Sequence, residues 1–353
     1  MTDPGPGTPA GPAKPGLPAQ PVPGPGSASA GASAPAIGLF RFTIEGRHAP
    51  GLFVAGWLAT LIGASAAVVG ILAGQSVAGA IAFIVGLAIL FGGLLLLGGS
   101  QVVERRAAAL PYAGPSPILV FGATIVGLYL AVVVVATPLE VLGVKLERPA
   151  LSLLGVCIQA AVVILILRLL VVGPGALSWS DMGLRTGLPA ALRDLAWGAT
   201  LALPVIFVTV VVIGALVTVF GNAPEGPLPP AGTPAGLALN LLAGAVVAPF
   251  YEEMLFRGFA TTAWARVVAP ATAILRTSVL FAFAHVLTQG GETFSQALAM
   301  AIVGAGARLP VALVLGWVFV RRRSLWASIG LHAAFNGILL VIAEVALDNL
   351  APG

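Results

Sequence analysis

Nine apolar runs of about 20 residues, the length that carries a helix across a hydrocarbon core, take up most of this 353-residue chain. They fall at about 52–73, 77–97, 118–137, 150–172, 195–220, 235–262, 269–288, 294–320 and 324–347. Inside a bilayer no water pairs with backbone N–H and C=O groups, so each run must close its hydrogen bonds within itself, as a helix does. The expected fold is therefore all-α, a polytopic transmembrane helical bundle of about 8–9 spans. Composition agrees: 58% of residues are hydrophobic, 8% are charged and mean hydropathy is +1.04, far from the values of a soluble domain. The net charge of +4 and pI near 9.8 carry no nucleic-acid signal, because most Lys and Arg residues sit in short loops between the runs. Membrane lipids are the expected surroundings.

Ahead of the runs, residues 1–38 are almost entirely Pro, Gly, Ala and Ser. Such a segment buries too little apolar surface to offset its ordering entropy, so a disordered tail is expected, with no apolar region of the signal-peptide kind. Residues 39–194 hold about four spans and a short interfacial segment, Trp179 to Leu188; residues 195–347 hold the rest. With a cytoplasmic N-terminus, Arg105/Arg106, Arg185/Arg193, Arg257/Arg266 and Arg321/Arg322/Arg323 all fall on the inner side, opposite only Lys145 and Arg148. The positive-inside bias then gives N-in and C-out. The Ala-, Gly-, Pro- and Val-heavy composition points to a bacterial plasma membrane. Gly79, Gly86, Gly92 and Gly93 are expected where helices approach closely. Cys157, alone in an apolar run, is read as packing, with no disulfide framework and no Cys-based zinc site.

Against this background Glu252 and Glu253 stand out. Each carboxylate at membrane depth costs about 2.5–3.5 kcal/mol even on the forgiving insertion scale, so both need partners. Arg257 lies four residues after Glu253, on the same helical face, and is expected to pair with it; Glu252 points about 100° away and stays free. His285 lies in the seventh run, and His332 and Asn336, four apart on one face, lie in the last. Glu253 and His285 are about 15 and 16 residues from the turn near Val267 to Pro270, hence at one depth. A single polar cluster is expected, buried in protein and open to water on the cytoplasmic side. A carboxylate beside an imidazole can activate a water, and a second His with an Asn amide can steady an oxyanion. The plainer reading is an internal salt-bridge cluster. The same groups, Glu252, His285 and His332, could instead hold zinc, although the His-Glu-x-x-His spacing is absent. Arg308, mid-span beside Pro310, either snorkels or lines the cavity. Glu292, Glu344 and Asp348 are expected in solvent, and Phe281 as packing that shapes the pocket of His285.

Glu252-Glu253-x-x-x-Arg257, Phe281-x-x-x-His285 and His332-x-x-x-Asn336, in this order and each within a span, resemble the three signature motifs of the CPBP intramembrane proteases. That family includes type II CAAX prenyl endopeptidases and bacteriocin-processing and immunity proteins. The resemblance covers about 235–345, and Met182-Gly183-Leu184-Arg185 is similar to a turn upstream in that family. It implies an intramembrane endopeptidase acting on a membrane-associated protein or peptide; glutamate-type hydrolysis without a cofactor is the favoured reading, with zinc on Glu252, His285 and His332 as the alternative. By motif position Glu252 is the base, His285 helps activate water, His332 and Asn336 stabilise the oxyanion, and Glu253 and Arg257 orient the site. Two other classes remain open: a non-catalytic scaffold or immunity-type protein of the same fold, and a proton-coupled transporter, against which stands the confinement of the polar residues to the last third of the chain.

Overall fold

The computed structural model describes residues 42–350 apart from 75, 185–186, 222–227 and 288, with the side chains of 348–350 also outside the description. The tail expected over 1–38, Arg185 and the side chain of Asp348 therefore lie outside the described residues. The protein is 80% helical with no strands among the described residues, and eight helices are long and apolar enough to cross a membrane. The helices are α1 (Pro50–Leu72), α2 (Val77–Ala107), α3 (Pro117–Val141), α4 (Arg148–Leu167, extended by a π turn to Val172), α5 (Leu188–Ala199) and α6 (Ala202–Phe220). The sixth span, Pro234–Ala265, is built of α7 (Pro234–Leu241), α8 (Ala248–Glu253) and α9 (Thr262–Ala265), joined by π-helical stretches Leu242–Val247 and Met254–Thr261. Then follow α10 (Pro270–Val286), α11 (Phe294–Arg322) and α12 (Leu325–Leu350). The seventh expected span is thus α10, 17 residues long and about 25 Å, short of a full crossing.

Helix ends differ from the apolar runs where a polar group finds a partner. α2 continues ten residues past the expected end at 97, because Glu104 is buried and accepts from the Ala49 N–H at the start of α1, 3.1 Å away. The fifth run begins earlier, at Leu188, and breaks at Thr200 and Leu201. Pro204 is the cause: it lacks the N–H that would bond the Thr200 carbonyl. Residue 194, taken above as the end of the N-terminal spans, lies inside α5.

α1 and α2 pack along a glycine seam with a seven-residue period, the repeat that keeps two helices in register. Gly56, Gly63 and Gly70 face Gly93, Gly86 and Gly79, and a methyl group on Gly63 or Gly86 would overlap the backbone of Leu90 or Ala67. Gly92 faces open space, so it lies off the seam it was expected to join. Cys157 also differs from expectation: it is exposed on the outer face of α4.

One end of the bundle gathers the arginines. Arg106 bonds the Pro174 carbonyl, Arg266 reaches Asp181 at 3.4 Å, Arg322 reaches Asp194 at 2.6 Å, and the Leu325 N–H bonds Gly183 O at 3.1 Å. Asp181 holds its carboxyl below the usual range because the backbone N–H and hydroxyl of Ser178 donate to it, with Arg266 adding charge. At the other end Glu344, expected in solvent, is 7% exposed. Its two oxygens accept from Ala231 and Gly232 N–H at 2.8 and 2.5 Å. Glu292 is exposed, as expected. Replacing Gly63 or Gly86 by leucine overpacks the seam and is expected to remove about 1–3 kcal/mol, read as a lowered thermal unfolding midpoint in detergent. Gly92→Leu leaves that midpoint unchanged.

Candidate active site

Glu253 is the centre of the polar cluster and is fully buried. Its Oε1 accepts from Arg257 Nη1 at 2.9 Å and faces His332 Nδ1 at 2.9 Å. A carboxylate only accepts, so this contact places a proton on Nδ1. The Arg257 guanidinium, also fully buried, donates through Nη2 to the Ala312 carbonyl of α11 at 3.2 Å and stands 4.5 Å over the Phe281 ring. One arginine thus ties the sixth span to α10 and α11.

Glu252 stays outside the Glu253–Arg257 pair, and the His332 imidazole spans the two carboxylates: Nδ1 meets Glu253, and Nε2 lies 3.8 Å from Glu252 Oε2. His285 Nε2 lies 3.8 Å from the same Glu252 oxygen. His285 Nδ1 is 2.8 Å from the Phe281 carbonyl, which only accepts, so that nitrogen is the donor and Nε2 is left to face Glu252. Both 3.8 Å gaps are too long for direct hydrogen bonds and suit a shared water. Glu252 Oε2, like Glu253 Oε2 and Arg257 Nε, is buried without a hydrogen-bond partner among the described residues; only Glu252 of the three residues is partly exposed, at 14%, which makes its Oε2 the open position of the cluster.

Exposure is graded: 24% for the His285 side chain, 14% for Glu252, 5% for His332, and none for Glu253 and Arg257. Met254 through Thr261, between the cluster and the arginine-rich end, are all buried. Within the cluster the most accessible side chain is His285, at the C-terminal end of α10. Arg308 Nη1 donates to the Gly304 carbonyl at 2.9 Å, and the half-buried guanidinium lies within electrostatic reach of Glu252 and His285 while making no ion pair among the described residues.

One of the two N–H donors of the Asn336 amide is used inside the protein. Its Nδ2 donates to the Gly244 carbonyl at 2.8 Å. In the π stretch Leu242–Val247 the Ala248 N–H bonds Ala243 O, five residues back. Continued by one residue, that pattern would give Gly244 O the N–H of residue 249, which is proline. The Asn336 amide supplies the missing donor. π stretches are rare and concentrate at functional sites; here one lies before and one after the Glu252-Glu253 pair.

Phe281 packs against the site, as expected. Its ring is 4.4 Å from the His285 ring and 5.8 Å from that of His332, so it walls the cluster on the apolar side. Tyr251 and Gln159 escaped the sequence reading: the Tyr251 hydroxyl lies 3.3 Å from Glu252 Oε1 and 2.5 Å from Gln159 Oε1. An amide in the middle of an apolar span was the available signal.

Among the described residues no three His, Cys, Asp or Glu side chains are grouped to hold a metal ion. We derive no step through a metal.

Together the spans and the cluster define a multi-pass integral membrane protein with features of a peptidase. Residues 234–338 match the family described as type II CAAX prenyl endopeptidase, Rce1-like; this stretch contains every residue of the cluster from Glu252 to Asn336, and it supports a CPBP family protease. No curated protein and no solved structure matches the chain.

If Asn336 answers the Gly244 carbonyl, Asn336→Ala lowers stability by about 1–3 kcal/mol, the cost of an orphaned buried acceptor. Asn336→Asp, which brings no N–H, lowers it at least as much. Thermal unfolding in detergent reads both; unchanged midpoints would contradict the assignment.

Proposed function

We propose that the protein is a glutamate-type intramembrane endopeptidase that hydrolyses a peptide bond in a membrane-associated protein or peptide. The observation that carries this reading is the unpartnered Glu252 Oε2, held 3.8 Å from the Nε2 atoms of both histidines. A water held between Glu252 and His285 gives its proton to Glu252 as its oxygen attacks the scissile carbonyl carbon. The oxyanion of the tetrahedral intermediate accepts from His332 Nε2–H when both ring nitrogens carry protons, with Glu253 steadying that ring through Nδ1. Glu252 returns the proton to the amide nitrogen as the C–N bond breaks, leaving a carboxyl terminus and an amine. Arg257 fixes Glu253, and Asn336 holds α12 against the sixth span.

The substrate follows the family only in class. A prenylated protein ending in a CAAX sequence is what the family description names, and a membrane-proximal peptide is the broader form that suits a bacterial plasma membrane. The arginine-rich end lies in the cytoplasm in this reading, with the N-terminus inside and no metal or cofactor required.

Cleavage of a quenched fluorescent peptide library by protein in liposomes tests the proposal. Glu252→Ala and His285→Ala each lower the rate about a hundredfold or more, the usual worth of a general base, with unfolding midpoints unchanged. Glu253→Ala acts differently: it strands Arg257 in the interior and costs about 3–5 kcal/mol of stability. Full activity in Glu252→Ala overturns the mechanism, and a wild type that cuts nothing favours a non-catalytic scaffold of this fold.

A further inference from the structure

Gln159 belongs to α4, outside the stretch that matches the protease family, yet it meets the site. It sits mid-span among Val, Ile, Leu and Ala, where an amide needs a partner. Its Oε1 is 2.5 Å from the Tyr251 hydroxyl, which is 3.3 Å from Glu252 Oε1. Tyr251 is 7% exposed and sits on α8, one residue before Glu252.

A hydroxyl has one proton to give, and a carboxylate can only accept. The oxygen and nitrogen of an amide are assigned by their partners rather than seen. As placed, the Tyr251 O–H donates to Gln159 Oε1 at 2.5 Å and, more weakly, to Glu252 Oε1 at 3.3 Å; turning the amide so that its NH2 donates to the Tyr251 oxygen gives the whole proton to Glu252 Oε1 and satisfies all three groups. We infer that Tyr251 and Gln159 form a positioning relay that fixes Oε1 of Glu252 and so presents Oε2 as its working oxygen. The inference rests on Glu252 being the general base. It makes an N-terminal span part of the active-site architecture, with Gln159 acting on Glu252 only through Tyr251.

The two oxygens of Glu252 have different surroundings, as this requires. Oε1 has the Tyr251 hydroxyl; Oε2 has no partner and faces both imidazoles across equal 3.8 Å gaps. Without the hydroxyl the carboxylate is free to rotate about its terminal torsion, which is broad and two-fold, and the geometry toward His285 is lost.

The test compares Tyr251→Phe, Gln159→Met, the double variant and Glu252→Gln, using the most rapidly cut member of the peptide library in liposomes. Loss of a hydrogen bond to a charged group lowers kcat roughly ten- to a hundredfold in Tyr251→Phe. KM is unchanged, because both residues act through Glu252. Gln159→Met gives a smaller loss, and the double variant is no worse than Tyr251→Phe alone. Wild-type kcat in Tyr251→Phe, or losses that multiply in the double variant, overturn the relay. Activity surviving in Glu252→Gln instead overturns the general-base reading itself, so the two failures are distinguishable. Infrared spectroscopy needs no substrate: the wild-type-minus-Tyr251→Phe difference spectrum carries a carboxylate stretching band that vanishes when the pair is compared in a Glu252→Gln background. Absence of that band in the first comparison also overturns the relay.

Discussion

A carboxylate with no exposed surface, deep in a membrane bundle, is tolerable only if its charge is answered at close range. Glu253 is answered twice through one oxygen, by Arg257 from its own helix and by His332 from α12. Much of the C-terminal half follows from meeting that demand. Arg257 must lie under the Phe281 ring and reach the Ala312 carbonyl, which fixes α10 and α11 against the sixth span. His332 must come within bonding distance, and the close approach of α12 to α5 brings it there: a side chain on Gly330 or Gly198 would overlap the backbone of Leu195 or Ala327. Arg257, Glu253 and His332, followed by Glu252, place basic and acidic groups alternately along one buried line.

The helices were legible in the sequence because bilayer thickness dictates run length, and a nearly uncharged run of 20 residues has few other structures open to it. Their ends were less so. Nothing local says that Glu104 can stay inside a helix; that depends on the Ala49 N–H, 55 positions away. Nor does composition show that Glu344 is buried, since its donors are the N–H groups of a loop more than a hundred positions earlier. At Glu344 a charge was read as a solvated tip, and at Glu104 the apolar run ended before the helix did; in both places the fold supplied a partner that a one-dimensional reading does not contain.

The site shows the same division. Glu252, Glu253, Arg257, His285 and His332 were visible as polar residues that an apolar chain must have reason to carry, and the structure brings all five together. Asn336 was visible too, but its partner was not, because the Gly244 carbonyl stands open only where a π stretch runs into Pro249. The proline was in plain sight; the helical register that gives it this consequence was not. Tyr251 and Gln159 needed the packing of α4 against α8, which periodicity does not reveal.

In this account the peptide bond is cut by a water that Glu252 activates, with Glu253, Arg257 and His332 as its fixed surroundings. Its most direct test is to chelate the purified protein exhaustively and measure cleavage rate and bound metal on the same sample. The account predicts an undiminished rate with metal far below one ion per chain. A rate that falls in step with zinc content, and returns when zinc is restored, would contradict it and make His285 and His332 ligands.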